Sequence, residues 1–365
     1  MSQISMFNEQ PIVSNDWKWT MAKDYPPKNG LKVFSCFACG GGSTMGYKLA
    51  GCDVLGCNEI DPRMNNVYIE NHHPKYNYLE DIRDFNKRDD LPQELFDLDI
   101  LDGSPPCSTF SMAGKRENAW GKKKKFREGQ KEQTLDDLLF VFIDTVAKLK
   151  PKVAIMENVE GLMLGKAWNY VQKIYKEFEK IGYKVKHWLL KGERMGVPQT
   201  RHRVFFVATK FDFNLNSVDM YFNYKQITYG EIKDGKLKEM GKNTKFYQIA
   251  AQANKNDKSI ADTRKRLGEK GSAFQTFYIR DDMVCPTQRS KPDLIDINDK
   301  NNIGYVSKET LRNMQTFPQD YRFLPDAYSN IGYICGMSVP PIMIKRIVTR
   351  LIESGLFNYK LGDNK

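Results

Sequence analysis

Residues 31–51, LKVFSCFACGGGSTMGYKLAG, join an apolar, strand-like segment to a glycine-rich turn and the start of a short helix. The glycines at positions 40 to 42 allow the backbone of the turn to approach a ligand closely. The next apolar segment, 53–60, carries Glu59 near its end. In nucleotide-binding α/β folds, an acid at this strand tip holds a ribose. The glycines of this turn are not spaced as G-x-G-x-x-G, which argues against a dinucleotide cofactor. Binding of another adenosine-containing cofactor is still compatible with this spacing.

Apolar strands alternate with helical periodicity as far as residue 209. The predicted strands cover 31–37, 53–60, 98–101, 153–158, 184–190 and 203–209, and the best helical patterns cover 135–150 and 167–182. Continuous apolar strands between helices predict an α/β domain with a mostly parallel sheet that is covered on both faces.

The remaining segments have a different character. Residues 1–30 are polar and predict an N-terminal extension. Residues 210–300 are rich in Asn, Lys, Asp and Tyr with weak periodicity, which fits a small irregular second domain or a partly disordered insert. Helical patterns return at 307–317 and 338–354.

The composition narrows the class of protein. The 365 residues carry a formal net charge of +11, which favours a polyanionic partner such as nucleic acid. The seven cysteines are odd in number and irregularly spaced, so reduced thiols and a cytoplasmic location are expected. No unbroken apolar run approaches the ~20 residues of a spanning helix, and no membrane association is expected.

One cysteine stands out by its position. Cys107 follows two prolines in DGSPPCSTFSMAGKR (102–116), after the predicted strand 98–101 and before 115–131, which holds eight Lys or Arg and two Glu. It is either a small core residue or a thiol held at the mouth of a site for an anionic ligand. Free cysteines are more often buried and inert than reactive, so this stretch alone leaves both possibilities open.

An ordered series of motifs extends over residues 31–353 and resembles the DNA cytosine-5 methyltransferases of bacteria and phages. The motifs are FACGGGSTMGYKLAG (37–51), NEID (58–61), EDIRDF (80–85), SPPCSTFSMAGK (104–115), MENVEG (156–161), QTRHR (199–203), LRNMQTFPQDY (311–321) and GMSVPP (336–341). Each motif is only modestly specific, but the whole series in family order is very specific.

The resemblance implies a division of the chain. Residues 31–209 would form a Rossmann-like, S-adenosylmethionine-dependent catalytic domain. Residues 210–325 would form a small, irregular target recognition domain, and 326–358 a helical region that returns to the catalytic domain.

The resemblance also implies the catalytic residues. Cys107 would be the nucleophile that adds to carbon 6 of cytosine, and Glu157 would hold ring nitrogen 3 and the exocyclic amine. Arg201 and Arg203 would grip the base carbonyl, a nearby phosphate or the carboxylate end of the site. Asn158 is expected to hold the nucleophile loop, residues 104–115, in position.

The implied cofactor is S-adenosyl-L-methionine. Phe37 would contact the adenine or the sulfonium, Glu59 the ribose, and Ser338 the methionine end. The residues assigned to this site are Phe37, Gly40, Gly42, Glu59, Ile60, Asp81, Ile82, Pro106 and Ser338, with Asp81 and Ile82 at the adenine. The chain departs from the family pattern at Ser35 (commonly Asp), Cys39 (Gly), Ser108 (Gln) and Met337 (Asn).

Double-stranded DNA is the expected partner, because a base must leave the duplex before its carbon 5 can be methylated. The basic stretch 115–131 would close on the DNA backbone, and residues 210–300, including CPTQRS (285–290), would select the sequence. A monomer on DNA is expected, and a cognate restriction endonuclease is a further possible partner.

Three other functions remain as alternatives. The tRNA-methylating branch of the family shares the cofactor pocket and the Ser-Pro-Pro-Cys loop. A non-catalytic DNA-binding paralogue would not need Cys107 and Glu157, and a nicotinamide-dependent oxidoreductase is disfavoured by the glycine spacing. A zinc or redox site at Cys36, Cys39, Cys52 and Cys57 is disfavoured because neighbouring core strands carry them without a histidine, so no metal site is expected.

Overall fold

The computed structural model describes residues 10–106, 137–271 and 276–359, so Cys107 and the basic stretch 115–131 lie outside the described residues. The strands are β1 (Lys32–Cys36), β2 (Asp53–Glu59), β3 (Tyr76–Leu79), β4 (Ile100–Gly103), β5 (Val153–Val159), β6 (Lys184–Lys191), β7 (Gln199–Thr200), β8 (His202–Thr209), β9 (Leu237–Glu239), β10 (Phe277–Ile279), β11 (Cys285–Pro286), β12 (Leu294–Asp296) and β13 (Gly304–Val306). The helices are α1 (Met21–Asp24), α2 (Gly42–Leu49), α3 (Pro62–His72), α4 (Ile82–Phe85), α5 (Leu138–Leu149), α6 (Trp168–Lys180), α7 (Tyr229–Ile232), α8 (Lys245–Ala251), α9 (Ile260–Arg266), α10 (Lys308–Met314), α11 (Tyr328–Met337) and α12 (Pro341–Glu353).

Seven strands form the central sheet in the order β3-β2-β1-β4-β5-β8-β6. Strands β3, β2, β1, β4 and β5 run parallel, and β8 is antiparallel to both of its neighbours. The carboxyl ends of β1, β2, β4 and β5 therefore meet the amino end of β8 at one edge of the sheet. This sheet with its helices confirms the predicted α/β class.

Successive side chains along the central strands enter two different cores. Val33 and Val153 pack in a core with α2, α3 and α12, whereas Phe34 and Ala154 pack in a second core with α4, α5 and α6. Because both faces are covered, the strands are apolar throughout, as the sequence predicts. Burial of each large apolar side chain stabilises the sheet by about 1.5–3 kcal/mol.

A second, four-stranded sheet lies within residues 210–325, in the order β10-β12-β13-β9. Each of its strands has three residues. Ile249 of α8 and Ile260 of α9 share a small apolar cluster with Tyr278 and Ile295 of this sheet. Such short strands leave little periodicity in the sequence, which explains why only an irregular domain or a partly disordered insert is predicted there.

The described part of the N-terminal extension, residues 10–30, packs against the rest of the chain. Trp17 and Trp19 are buried in the first core. The Trp19 indole donates a hydrogen bond to the Thr316 carbonyl over 2.8 Å, and Asp16 forms ion pairs with Lys345 and Arg346 of α12. The extension therefore packs against the C-terminal region of the chain and forms ion pairs with α12.

One segment, Tyr328–Glu353, is long and apolar enough by composition to cross a membrane, although it contains no unbroken apolar run. It consists of α11 and α12, which are separated at Ser338–Pro340. About three quarters of its apolar window (72%) is buried inside the protein, as in a core helix pair.

Candidate active site

The loop after β1, residues 37–41, which the motif resemblance assigns to the cofactor and which is called the cofactor loop below, has an unusual backbone. Phe37 and Cys39 have φ values of 55° and 48°, and Gly41 has a φ of 82°. Left-handed conformations cost a side-chain-bearing residue about 1–2 kcal/mol, so the surrounding structure must hold this loop in place. A family member with glycine at position 39 would avoid part of that cost.

Glu59, at the tip of β2, holds the loop through its carboxylate. Oε2 accepts the Cys39 N–H over 2.7 Å, and Oε1 accepts the N–H groups of Ile60 and Asp61 over 2.8 Å each. Burial raises the pKa of Glu59, and the three N–H groups oppose this rise. A carboxylate offers about four acceptor positions, so room for one ribose hydroxyl remains.

Gly40 packs directly on α11, and Gly42 packs on the segment that follows it. A Cβ atom on Gly40 would lie 2.6 Å from the Ile334 side chain, and one on Gly42 would lie 2.2 Å from the Val339 carbonyl oxygen. Ser338 is buried in this contact, and its hydroxyl donates to the Ile334 carbonyl over 2.8 Å. In the described structure, Ser338 ends α11 and supports the cofactor loop.

The other residues assigned to the cofactor lie around the same edge. Asp81 begins α4 and accepts the Arg83 N–H over 2.9 Å, while Ile82 is buried beside it. Phe37, Ile60 and Pro106 are partly exposed.

A buried hydroxyl marks the end of β4. Ser104 Oγ has no hydrogen-bond partner among the described residues. The free acceptor position of Glu59 lies at the same edge of the sheet, at the end of β2. These two polar groups fit a ligand that has a ribose hydroxyl and a further polar group.

Glu157 and Arg203 form a buried ion pair on neighbouring strands. Arg203 Nε lies 2.8 Å from Glu157 Oε1, and both side chains are largely buried. Burial lowers the pKa of Arg203, and the charges of Glu157 and Glu160 oppose this change. The pair places a carboxylate with a fixed orientation at this edge of the sheet.

Arg201 contacts the protein backbone. Its guanidinium donates to the carbonyl oxygens of Ser338 over 2.9 Å and Gln288 over 3.2 Å. Burial lowers the pKa of Arg201 to about 9, so it stays charged at neutral pH. The motif resemblance implies that Arg201 binds the base carbonyl, a nearby phosphate or the carboxylate end of the site. In the structure it lies between the segments around Gln288 and Ser338.

Gln199, which was not predicted as a site residue from the sequence, also contacts the segment around Gln288. Its side chain donates to the Met314 carbonyl over 2.6 Å and to Gln315 Oε1 over 2.7 Å, and it accepts the Gln288 N–H over 3.0 Å. Its strand, β7, pairs with β11. The only signal in the sequence was its place in the QTRHR motif.

The segment that leads to Cys107 is fixed at its start. The Asn158 amide donates to the Pro105 carbonyl over 3.2 Å, which is the role expected of Asn158 from the sequence. Cys107 itself lies outside the described residues.

Asp102, another residue that sequence reasoning missed, is a buried acid near the end of β4. It is paired in register with Ser35 of β1 and accepts the Ser35 hydroxyl over 2.7 Å and the Tyr47 hydroxyl over 3.1 Å. Burial raises the pKa of Asp102 to about 7. The available signal was Ser35, where relatives commonly carry the acid.

The cysteines near the cofactor loop show no metal-binding arrangement. Across residues 10–106, 137–271 and 276–359, no group of three or more His, Cys, Asp or Glu side chains is placed to hold a metal ion. Burial raises the pKa values of the Cys36, Cys52 and Cys57 thiols, which disfavours metal-binding thiolates.

Comparison with known proteins gives consistent matches. The family model for C-5 cytosine-specific DNA methylase matches residues 31–353. The type II methyltransferase M.FnuDI of Fusobacterium nucleatum is 26% identical over 88% of this chain and 96% of its own length. M.Bsp6I of Bacillus sp. (strain RFL6) is 25% identical over 89% of this chain and its whole length.

Solved structures share the fold. A prophage-encoded DNA modification methyltransferase of E. coli superposes with a TM-score of 0.62 at 20% identity, covering 90% of this chain and 100% of that one. The S. pombe Dnmt2 methyltransferase gives a TM-score of 0.59 at 14% identity, covering 91% and 100%.

Proposed function

Since the chain belongs to the C-5 cytosine-specific DNA methylase family, we propose that it methylates carbon 5 of cytosine within a specific sequence of double-stranded DNA, through a covalent adduct of Cys107 with a flipped-out base. It is a DNA cytosine-5 methyltransferase, and its methyl donor is S-adenosylmethionine. The observation that carries the proposed mechanism is the Glu157–Arg203 pair, which lies at the same sheet edge as the Glu59-anchored cofactor loop.

The chemistry requires a nucleophile because carbon 5 of cytosine is too weakly nucleophilic to take a methyl group directly. In the proposed step, Glu157 first takes up a proton; the Cys107 thiolate then forms a bond to carbon 6 as this proton passes to ring nitrogen 3. Carbon 5 then has enamine character. After methyl transfer, the carbon 5 proton passes to water, the carbon–sulfur bond breaks to release the thiolate, and ring nitrogen 3 returns its proton to Glu157.

Glu157 would hold the base by its ring nitrogen 3 and exocyclic amine. Because Arg203 contacts Oε1, the second oxygen, Oε2, is the one proposed to face the base. A carboxyl group that is already oriented needs little reorganisation when charge develops on the ring. Asn158 would keep the start of the nucleophile loop close to this carboxyl group through its bond to Pro105.

When bound, S-adenosylmethionine supplies an activated methyl group. Glu59 would accept a hydrogen bond from a ribose hydroxyl, and Asp81 with Ile82 would contact the adenine. Phe37 would pack on the adenine or beside the sulfonium. Gly40, Gly42, Ile60, Pro106 and Ser338 would complete the pocket, with the two glycines and Ser338 giving the cofactor loop its shape.

Target selection is assigned to residues 210–325, which contain the second sheet. The basic stretch 115–131 is assigned to the DNA backbone, since backbone contacts position a protein without reading its sequence. The two relatives described above are type II methyltransferases, and on this basis a cognate restriction endonuclease is proposed as a partner. The enzyme is proposed to act as a monomer in the cytoplasm.

Sequencing of 5-methylcytosine in DNA from bacteria that express the chain tests this function. The expected result is methylation at one short recognition sequence, with none in cells that express Cys107→Ala. Total tRNA from the same cells is sequenced in parallel. Methylation confined to tRNA would place the enzyme in the tRNA branch, and methylation of neither nucleic acid would refute the proposal.

A further inference from the structure

His202 contacts a carboxylate on each side of its ring. Nε2 lies 2.9 Å from Glu193 Oε1, and Nδ1 lies 3.3 Å from Glu160 Oε2. Glu160 begins the turn that follows β5, and Glu193 lies in the turn that follows β6. Because β8 lies between β5 and β6, the ring connects the ends of three adjacent strands.

The His202 ring contacts both acids at once. Its Nε2 hydrogen-bonds to Glu193, and its Nδ1 faces Glu160. Glu193 depends on this contact because it is buried, and its Oε2 has no hydrogen-bond partner among the described residues.

Glu160 lies close to the Arg203 guanidinium. Arg203 is opposite Val159 in the β5–β8 register, so Glu160 directly follows its strand partner. The charges of Glu157 and Glu160 both oppose the fall in the pKa of Arg203 that burial causes, while Arg203 Nε pairs with Glu157. His202 holds Glu160 through Nδ1, and the His202 carbonyl accepts a hydrogen bond from Arg203 Nη1 over 2.7 Å. One residue thus restrains both Glu160 and the guanidinium.

We infer that His202 is a positioning residue for methyl transfer: its ring occupies Glu160 and Glu193, so that Arg203 pairs with Glu157 alone. The inference rests on the proposed function, because it concerns the pair that would hold the base. Loss of the ring leaves Glu160 free to draw Arg203 away from Glu157.

The test compares single-turnover methylation by the wild type, H202N, E160Q and H202N/E160Q on one DNA duplex. H202N should lower the rate by up to about 100-fold through misplacement of the catalytic pair, and removal of the competing charge in H202N/E160Q should restore most of it. Binding of S-adenosylhomocysteine, measured by calorimetry, should be the same in all four proteins.

His187→Asn is the matched control. His187 lies on the neighbouring strand β6, is also partly buried, and contacts the Tyr175 hydroxyl over 2.8 Å instead of a carboxylate. This variant should methylate at the wild-type rate.

A purely structural role is separated by the double variant. Local misfolding caused by loss of the ring would persist in H202N/E160Q, whereas competition from Glu160 ends when its charge is removed. The groups that contact the His202 ring are Glu160 after β5 and Glu193 after β6.

A rate for H202N that equals the wild-type rate, or a double variant no faster than H202N, would overturn the inference. If H202N does not fold, H202Q replaces it in both the single and the double variant, and the same comparison decides. Wild-type protein that methylates no cytosine would refute the proposed function instead, and this control is read first.

Discussion

Arg203 Nε lies 2.8 Å from Glu157 Oε1, across two adjacent antiparallel strands. Arg203 is opposite Val159 in the β5–β8 register, so Glu157 is the diagonal neighbour, two residues along the same strand face. Breaking such a buried pair typically costs about 3–5 kcal/mol. The pair therefore fixes a carboxylate at the sheet edge where the cofactor loop also ends.

Glu157→Gln should lower the methylation rate by roughly 100- to 10,000-fold, because the amide cannot transfer a proton to ring nitrogen 3. The glutamine is nearly the same size, so binding of S-adenosylmethionine should be retained. Single-turnover methylation and calorimetry separate the two effects. A variant that methylates at the wild-type rate would remove Glu157 from the mechanism.

Glu59→Ala should weaken S-adenosylmethionine binding by roughly 1–3 kcal/mol, through loss of the ribose contact and of the bond that holds Cys39. Asp99→Ala is the matched control. Asp99 is also a buried acid that accepts a backbone N–H, from Lys32 over 2.7 Å, but it precedes β4 at the opposite edge of the sheet. Calorimetry should show weaker binding for Glu59→Ala only, and equal losses in both variants would refute the assignment.

Gly41→Ala should destabilise the protein by more than about 3 kcal/mol, because it combines backbone strain with a steric clash. Gly41 has a φ of 82°, and an added Cβ would lie 2.1 Å from His72 Nε2. Gly182 has nearly the same φ, 81°, with no heavy atom within 4 Å of the added Cβ. Gly182→Ala should therefore cost only the roughly 1–2 kcal/mol of the left-handed conformation. Equal changes in the free energy of unfolding would show that the His72 contact carries no cost.

Asp102→Asn should increase stability at alkaline pH. The pKa of Asp102 rises from 3.8 to about 7 on burial, so between these values the folded state holds the proton that the unfolded state has lost. Wild-type stability should therefore fall as pH rises through this window, by up to about 4 kcal/mol, and remain low above it.

Asparagine does not ionise, so the stability gain of Asp102→Asn should grow with pH. Urea unfolding at about pH 5 and about pH 9 measures this gain. The same difference from the wild type at both pH values would contradict the assigned pKa of Asp102.

The local features of the fold were predictable because they depend on nearby residues. Apolar strands such as β5 were located to within two residues, since they are buried on both faces. β3 was missed because its sequence, YNYL, alternates between partly buried and exposed positions without a long apolar run. α11 falls in the region 326–358 that the resemblance gives as helical, but periodicity did not locate it, because it has no single apolar face.

The site was predictable only as far as motif resemblance reaches. The contact between Asp102 and Ser35 depends on the register of two strands that are far apart in sequence. The bonds of Arg201 to Ser338 and Gln288 depend on tertiary packing, and so does the contact between His202 and Glu160. No local pattern carries such information, so the sequence indicated which residues matter but not which partners they contact.

The most direct test of the account uses a DNA duplex with 5-fluorocytosine at the methylated position. Once Cys107 has added to carbon 6 and the methyl group has been transferred, release requires removal of a carbon 5 proton, which this base lacks. With S-adenosylmethionine present, the wild type should form a covalent protein–DNA adduct that survives denaturation, and peptide mapping should place the crosslink at Cys107. Cys107→Ala should form none while remaining folded. An adduct that maps to any other residue, or cytosine methylation without an adduct, would contradict the account.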